Sequence, residues 1–328
     1  MTRRLCLASA LALTAARRPV RAETLPPVRL GTLQFGTVQW IGDIIQRHNL
    51  DTANGFSLQT TKLANGDAGR VALMADAADI VVSDWMFVAA RRAAGTQLCF
   101  APFSSSTGGL MTPASSPIRS LADLANRRLG VAGGPVDKSW LFVRAAAKAT
   151  ANIDLAQAAQ VVYGAPPLLN AKLQQGELDA ALTYWNFAAR LQAANFRQAL
   201  SVDDCARSLG LPGGMSLVGF VFHQDWASRN AAAVNGFLAA AAAAEDLLAK
   251  SDTEWQQIRP LMNAPNDALF QHLKQRFVAG IAHPSAPAQQ AAARQLFDVL
   301  LRTGGPKATG GITQLPDGIF WPAPTVHG

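Results

Sequence analysis

Residues 78–85 read ADIVVSDW, a short apolar run that ends at a polar turn and a tryptophan. Ile80, Val81 and Val82 are β-branched, which is typical of a short strand that is buried on both faces. Such strands lie in sheets that carry helices on both sides. The final residue, Trp85, either closes the core beyond the strand or forms the wall of a binding site.

The same order of features occurs a second time, about one hundred residues later. Each copy has a strand, a glycine-containing loop, a tryptophan and a helix, and then a helix, an aspartate, a second strand and a second tryptophan. The first copy includes residues 28–40 (VRLGTLQFGTVQW), and the second includes residues 127–140 (RRLGVAGGPVDKSW) and 178–185 (LDAALTYW). The matching pairs are Leu73 and Leu173, Asp79 and Asp179, Trp40 and Trp140, and Trp85 and Trp185. Identity is otherwise low, so the repeat predicts two α/β lobes with a shared topology.

Two segments are predicted to connect these lobes. Residues 99–109 (CFAPFSSSTGG) pass from an apolar strand into small polar residues, and residues 209–226 pass from loop glycines into an apolar strand. The predicted first lobe contains residues 23–104 and 219–328, and the second lobe contains residues 105–218. We expect mostly helix after Trp226, and a tail from Gly304 that lies across the surface.

The composition is that of a folded globular protein, with 49% hydrophobic and 16% charged residues in a chain of 328. The formal net charge is +7, but residues 1–22 hold five arginines and no acidic residue. Of the 29 basic residues this leaves 24 against 22 acidic ones, a net charge of +2. Because the remaining chain is nearly neutral, no nucleic-acid partner is expected.

Residues 1–22 resemble an export signal peptide. They have a basic start, an apolar run from Leu5 to Ala16, and a small-residue cleavage signal at residues 20–22. We therefore expect cleavage after Ala22 and a periplasmic protein. The start TRRLCL also resembles a twin-arginine export motif, and the general secretion route stays open.

No later segment is expected to span a bilayer. The alanine-rich residues 231–249 are interrupted by Asn235, Glu245 and Asp246, and this pattern predicts a buried helix. We expect no stable membrane insertion of the mature protein.

The sequence contains no recognisable catalytic or metal-binding motif. Its five histidines are scattered, and it lacks a nucleophile elbow, a phosphate-binding loop and a dinucleotide fingerprint. Cys99 and Cys205 follow no metal-ligand spacing, and they form either a disulfide or two separate buried thiols. We expect a protein that is not an enzyme and needs no cofactor or metal.

Four phrases of the sequence together resemble the nitrate/sulfonate/taurine-type substrate-binding proteins of ABC importers. The phrases are GDAGRVALMADAADIVVSD (66–84), SLADLANRRLGVAGG (120–134), LLNAKLQQGELDAALTYWNFAARL (168–191) and SRNAAAVNGFLAAAAAAEDLL (228–248). The resemblance extends from about residue 28 to about residue 249 and depends on the order and spacing of the phrases. It implies a type II periplasmic-binding-protein fold, in which two α/β lobes joined by two hinge strands close on a ligand like a Venus flytrap. It also implies an ABC permease and ATPase as partners, and we expect a monomer.

Two alternatives to an importer component follow from the same resemblance. A binding protein that presents its ligand to a receptor or enzyme would have a similar sequence. Thiamine-pyrimidine synthases share the fold, but they need a lysine for pyridoxal phosphate where this chain has Ser83 and Asp84. They also carry a cysteine cluster that this chain lacks, so an enzyme of that type is disfavoured.

Ligands of open α/β sheets bind beyond the carboxyl ends of the strands. The four repeated tryptophans follow such ends, so they either form an aromatic box across the cleft or pack into the core of each lobe. The candidate ligand-binding residues are Gln34, Thr37, Gln39, Trp40, Ser83, Asp84, Trp85, Ser105, Asp137, Ser139, Trp140, Tyr184, Trp185 and Asn186.

The polar candidates suggest the kind of ligand. Asp84 and Asp137 could accept hydrogen bonds from an amine, and free amides near residues 36–37 and 133–134 could hold an oxyanion at a helix start. Lys138 is the one basic residue in these loops and could equally be solvated. A purely anionic ligand would leave the acids and aromatics unexplained. The predicted ligand is a small organic solute, either sulfonate- or taurine-like or a planar nitrogenous compound.

Overall fold

Residues 24–281 and 286–322 are described by a computed structural model, so the predicted signal peptide lies outside the described residues. Two five-stranded sheets form the framework. The first contains β1 (Pro27–Leu33), β2 (Ser57–Leu63), β3 (Ile80–Asp84), β4 (Leu98–Ser104) and β10 (Val218–His223). The second contains β5 (Gly109–Pro113), β6 (Arg128–Ala132), β7 (Gln160–Gly164), β8 (Ala180–Thr183) and β9 (Phe196–Ser201).

The two sheets have the same topology. The strand order is β2-β1-β3-β10-β4 in the first and β7-β6-β8-β5-β9 in the second. Four strands of each sheet run in the same direction, and the fourth in order, β10 or β5, is antiparallel to both of its neighbours. The chain leaves the first sheet after β4 and returns at β10, within the predicted segments 99–109 and 209–226. The prediction of two α/β lobes with one plan is confirmed.

Helices cover the sheets of both lobes. Those before the return crossing are α1 (Val38–Arg47), α2 (Leu50–Ala53), α3 (Gly66–Met74), α4 (Trp85–Ala93), α5 (Lys138–Ala151), α6 (Leu155–Ala158), α7 (Pro166–Gln174), α8 (Trp185–Ala193) and α9 (Val202–Ser208). Those after β10 are α10 (Gln224–Arg229), α11 (Ala231–Lys250), α12 (Asp252–Met262), α13 (Asp267–Ala279) and α14 (Ala286–Gly304). Short 3₁₀ turns occur at Ala122–Leu124 and Pro306–Thr309. The expectation of mostly helix after Trp226 is therefore confirmed.

The repeated aspartates have the same structural role in both lobes. The carboxylate of Asp79 accepts hydrogen bonds from the backbone N–H and the guanidinium of Arg29, at 2.8 and 2.5 Å. Asp179 makes the equivalent bonds with Arg128, at 2.8 and 2.7 Å. Each aspartate precedes a central strand and ties it to the start of its parallel neighbour. The spacing of one hundred residues therefore reflects a repeated contact.

Helix α11 corrects one expectation from the sequence. By length and composition alone it could cross a membrane, whereas no segment after the leader was expected to be apolar enough. One face of α11, which includes Phe237, Ala240, Ala244 and Leu248, packs in the core of the first lobe. This packing is that of a core helix, as the alanine pattern predicted.

The last helices connect the two lobes, and the tail pairs with the edge of the first sheet. Helix α14 contributes Leu296 and Phe297 to a hydrophobic cluster that also contains Trp85 of the first lobe and Trp140 of the second. The tail adds an isolated parallel bridge from Phe320 to Phe100 at the edge of β4. Because α14 contacts α5 in the second lobe, assignment of all residues after 218 to the first lobe stays a prediction.

Candidate functional site

The segments that follow β1 and β8, in opposite lobes, contact each other at the boundary between the lobes, which is called the cleft below. The Asn186 side-chain N–H donates to the carbonyl of Phe35 at 3.0 Å, and these residues belong to opposite lobes. The indole rings of Trp40 and Trp185 also meet across the cleft, with ring centroids 6.3 Å apart. These contacts place the carboxyl ends of both sheets on either side of one site.

The first lobe provides an anchored acid and an arginine. Asp84 lies at the start of α4, where its carboxylate accepts a hydrogen bond from the N–H of Phe87 at 2.8 Å. The same carboxylate receives a 2.8 Å hydrogen bond from the Arg70 guanidinium, whose Nε also donates to the Ser83 hydroxyl at 3.3 Å. Asp84 is 7% exposed. The helix start and Arg70 together fix this carboxylate in place.

The second lobe provides the matching acid and a tyrosine. Asp137 lies at the start of α5 and accepts from the N–H groups of Ser139 and Trp140, at 2.9 and 3.4 Å. The Tyr184 hydroxyl and the Asp137 carboxylate lie on the same side of Gly133, and Asp137 raises the pKa of Tyr184. A side chain on Gly133 would collide with both groups, since a Cβ there would lie 2.8 Å from the Asp137 Oδ2 and 2.9 Å from the Tyr184 hydroxyl.

Charges of the two lobes act on each other across the cleft. Burial raises the pKa of Asp137, the neighbouring Lys138 lowers it, and the Asp84 carboxylate of the opposite lobe raises it. Burial also raises the pKa of Tyr184, with a further rise from Asp137 and an opposing effect of Arg70. The groups that form this site, called the polar cluster below, are Arg70, Ser83, Asp84, Asp137, Lys138 and Tyr184.

Arg70 is a member of the polar cluster that the sequence analysis missed. It lies on α3, thirteen residues before Ser83, and its guanidinium also stacks over the Phe87 ring at 4.8 Å from the centroid. A helical arginine is usually solvated, so residue type alone gave no reason to choose it. Its spacing of three residues from the buried Leu73 was the available signal, because it places Arg70 near the face of α3 that packs on the sheet.

The four tryptophans do not come together as one box in this structure. Trp40, Trp85 and Trp140 are 3%, 2% and 0% exposed, and they pack in hydrophobic cores. Trp40 and the half-buried Trp185 belong to one cluster, and Trp85 and Trp140 belong to another. The indole ring can close the core at a strand end, which is the alternative that the sequence left open. A direct role of these rings in binding stays a prediction.

Several neutral candidates support the loops around the cleft. The Gln39 side-chain N–H donates to the carbonyls of Leu33 and Gln34, at 2.7 and 2.9 Å, and so holds the loop between β1 and α1. The Ser105 hydroxyl donates to the Gly280 carbonyl at 3.1 Å and ties the first crossing to the end of α13. Gln34 is exposed, Thr37 is half-buried at the start of α1, and Ser139 is buried in the first turn of α5. Their contact with a ligand stays a prediction.

The two cysteines are separate buried thiols. Neither Cys99 nor Cys205 forms a disulfide. Burial raises the pKa of both thiols, and that of Cys205 rises to about 12. A thiol with a raised pKa is a poor nucleophile and metal ligand. Within residues 24–281 and 286–322, no group of three His, Cys, Asp or Glu side chains could hold a metal ion.

Comparison with known proteins places this chain in a family. Residues 52–254 match the family model described as NMT1/THI5 like. The chain belongs to the NMT1/THI5-like family. Among curated proteins no sequence match was found.

Solved structures share the fold of this family member. The alkanesulfonate-binding protein SsuA from Xanthomonas axonopodis pv. citri, bound to MOPS, aligns with a TM-score of 0.70 and 16% identity, over 92% of this chain and 99% of its own. The aliphatic sulphonate-binding protein SsuA from Escherichia coli aligns with a TM-score of 0.64 and 19% identity, over 88% of this chain and 92% of its own. The nitrate-binding protein NrtA from Synechocystis PCC 6803 aligns with a TM-score of 0.58 and 11% identity, over 90% of this chain and 92% of its own. The two-lobed periplasmic-binding-protein fold that the sequence predicted is thereby confirmed.

Proposed function

We propose that the mature protein is the solute-binding component of an ABC-type importer and captures a small organic solute between its lobes. The observation that carries this proposal is that the strand ends of the two lobes contact each other, and that each lobe places an anchored acid there, Asp84 held by Arg70 and Asp137 held by the first amides of α5. A site divided between two lobes is completed only when they approach, so its ligand favours the closed form. Structural neighbours named as sulfonate- and nitrate-binding proteins support the same reading.

The groups of the cleft suit a solute with a polar end and an apolar or planar body. Arg70 and the amides at the starts of α1 and α5 could hold a sulfonate-like oxyanion, whereas Asp84 and Asp137 could hold an amine. Half-buried Trp185 and exposed Phe35 provide apolar surface where the two lobes meet. The proposed solutes are therefore sulfonate- or taurine-like compounds and planar nitrogenous compounds.

Binding without chemical turnover is part of the proposal. The position where a synthase of this fold would need lysine holds Ser83 and Asp84. Both side chains accept hydrogen bonds from the Arg70 guanidinium. A permease and an ATPase are the proposed partners, and the binding protein itself is proposed to be a monomer. The proposed hinges lie within residues 99–109 and 209–226. They join a lobe of residues 23–104 and 219–328 to a lobe of residues 105–218.

Export to the periplasm completes the proposal. The leader predicts a mature protein that starts at Glu23, which N-terminal sequencing of the periplasmic protein measures directly. An intact Met1 in that fraction would contradict export by cleavage. Replacing Arg3 and Arg4 together with lysine should block a twin-arginine route and leave general secretion nearly unaffected.

Native mass spectrometry of protein purified from the periplasm tests the capture of a solute. We expect a retained small molecule, release of the same molecule unchanged, and a smaller radius of gyration when it is bound, as measured by X-ray scattering. Deletion of the gene should abolish uptake of that molecule by cells. Steady release of a chemically altered product would overturn the proposal, and binding with normal uptake after deletion would instead favour a ligand-presenting protein.

A further inference from the structure

The first crossing between the lobes is held by the end of α13. The Ser106 hydroxyl donates to the Arg276 carbonyl at 3.1 Å, and the Ser105 N–H donates to the Gly280 carbonyl at 3.1 Å. A Cβ on Gly280 would lie 2.0 Å from the Ser106 Oγ, so the two segments are in direct contact. Helix α13 packs in the core of the first lobe. The crossing is therefore fixed to the first lobe as far as Ser106.

The second lobe holds the same crossing from Gly108 onward. The carbonyl of Gly108 accepts a hydrogen bond from the N–H of Val202, at the start of α9, at 3.1 Å. A Cβ on Gly108 would lie 2.1 Å from the Thr183 carbonyl oxygen, so Gly108 lies directly against the end of β8. Thr107 is the residue between the part of the crossing that is fixed to the first lobe and the part that is fixed to the second.

The return crossing is held by the start of α14. The Gln289 side-chain oxygen accepts from the Ser216 N–H at 3.0 Å, and the Gln289 side-chain N–H donates to the Ser216 hydroxyl at 2.9 Å. Gln289 and Ser216 are 3% and 1% exposed, so water does not compete for these bonds. The Leu211 N–H donates to the Ala206 carbonyl of α9 at 3.0 Å, and β10 begins at Val218. The return crossing thus has a buried anchor between its two ends.

Helix α14 is itself attached to both lobes. Its residues Leu296 and Leu300 belong to the hydrophobic cluster that both lobes share, and the helix contacts α5 of the second lobe. The tail that follows returns to the first lobe, where the Phe100 N–H of β4 donates to the Ile319 carbonyl at 2.7 Å. Because α14 is attached on both sides of the hinge, the anchor at Ser216 restricts how the return crossing bends.

We infer that α13 and α14 brace the two crossings and confine the bending of the hinge to short stretches. These stretches are Thr107 in the first crossing, and residues 212–215 with Leu217 in the return crossing. The inference rests on the proposed function, because it concerns how far the lobes separate before a solute is captured. A short pivot permits few arrangements of the open protein, so closure costs less conformational entropy. The two helices thereby raise the affinity for a solute that they do not touch.

X-ray scattering and hydrogen exchange of the mature chain test the inference. The double variant Ser106→Ala with Ser216→Ala removes one side-chain hydrogen bond from each crossing and leaves the backbone hydrogen bonds in place. Without a solute, we expect a larger radius of gyration than that of the native protein. We also expect about fivefold faster exchange of the amides in residues 104–107 and 212–217, which is the factor for loss of one hydrogen bond. With the solute retained from the periplasm at saturation, the radius should equal that of the native protein, and the affinity should be about twofold to fivefold weaker.

Ser208→Ala is the matched control, because the Ser208 hydroxyl donates to the Cys205 carbonyl at 2.8 Å within α9. It should leave the radius, the exchange of both crossings and the affinity unchanged. If the double variant folds poorly, the Ser106→Ala variant alone supplies the same measurements on the first crossing.

An unchanged radius and unchanged exchange in a variant with normal thermal melting would overturn the inference and leave the proposed function intact. The measurements on the solute-free protein need no ligand. They therefore test the braces separately from the proposed function, which fails by itself if the periplasmic preparation yields no bound solute.

Discussion

At the residue scale, the Arg128–Asp179 contact makes stability depend on pH in a defined direction. Hydrogen bonds from Arg128 hold the pKa of Asp179 below its ordinary value. A carboxyl with a lowered pKa in the folded state stabilises it above the unfolded-state pKa of about 3.9. This contribution is lost as the pH falls through the lowered pKa of the folded state.

We therefore expect Asp179→Asn to reduce the free energy of unfolding at pH 7 and to have little effect near pH 2. The loss at pH 7 should stay below about 1 kcal/mol, because the ion pair is partly exposed to solvent. Urea unfolding at the two pH values measures the difference. Asp225→Asn is the control, since Asp225 is exposed at the start of α10. A loss that persists unchanged near pH 2 would show that the carboxylate charge is not its cause.

Replacement of Trp140 and replacement of Trp185 should have different effects on the free energy of unfolding and on solute binding. Trp140 is fully buried in a core, so Trp140→Ala should lower the free energy of unfolding by about 3–5 kcal/mol. Trp185 is half-buried where the lobes meet, so Trp185→Ala should cost less stability and should weaken solute binding by about 1–3 kcal/mol.

Chemical unfolding and calorimetry on the same preparations separate these two effects. Trp321, whose indole N–H donates to Asn235 at 3.1 Å away from the cleft, is the control for affinity. Normal affinity in the Trp185 variant would restrict this ring to a packing role.

At the element scale, two glycines inside helices give opposite predictions for the same substitution. A Cβ at Gly236 of α11 would lie 2.3 Å from the carbonyl oxygen of Asn54, which is backbone and cannot move alone. At Gly69 of α3 the nearest heavy atom to a Cβ would be a side-chain carbon of Leu63 at 3.9 Å, an ordinary contact. Replacing a helical glycine with alanine otherwise gains about 0.5–1 kcal/mol.

We expect Gly69→Ala to raise the free energy of unfolding by up to about 1 kcal/mol. Gly236→Ala should lower it by about 1 kcal/mol or more, because displacement of α11 from the Asn54 turn exceeds the gain in helix propensity. Thermal and urea unfolding of both variants, with circular dichroism to confirm helix content, measure the signs. Stabilisation by both substitutions would mean that α11 and the Asn54 carbonyl can separate enough to admit a Cβ at position 236 without loss of stability.

The elements themselves were largely predictable from the sequence, but the direction of their side chains was not. Periodicity and spacing predicted the ends of β3 and β8, the helices that begin after them, and the matching positions of Asp79 and Asp179. These features are local in the sequence, so a local pattern can predict them. The same pattern could not tell whether Trp85 or Trp140 faces the core or the cleft, since a ring at a strand end can turn either way. Arg70 was missed because its partners lie on another element, thirteen and fourteen residues away.

At the scale of the whole molecule, the C-terminal helices fix how the lobes approach each other. The guanidinium of Arg276 on α13 donates to Gln192 and Gln198 of the second lobe, at 3.0 and 2.9 Å. Arg190 of α8 reaches back to the carbonyls of Met262 and Asn263. Burial lowers the pKa of both arginines. Such contacts join residues more than seventy positions apart, so no local sequence pattern could predict them.

The contact between Asn186 and the Phe35 carbonyl stabilises the closed arrangement of the lobes and does not stabilise the fold of either lobe. Its 3.0 Å hydrogen bond crosses the cleft, so it exists only while the lobes are together. A hydrogen bond of this kind contributes about 1 kcal/mol, or roughly a fivefold change in an equilibrium constant. If solute capture requires closure, loss of this bond should weaken binding by that factor, because the solute must then supply more of the energy of closure.

We therefore expect Asn186→Ala to bind the solute retained in the periplasmic protein about fivefold more weakly than the native protein while its free energy of unfolding stays nearly unchanged. Calorimetry gives the affinity. X-ray scattering over a series of solute concentrations gives the fraction of closed protein, which should recover as the solute concentration rises. Asn235→Ala is the matched control, because it removes a side-chain hydrogen bond to Trp321 away from the cleft. It should leave both affinity and compaction as they are. Equal affinity in the Asn186 variant, with full compaction, would mean that the cross-cleft bond does not contribute to closure and that the polar cluster alone drives it.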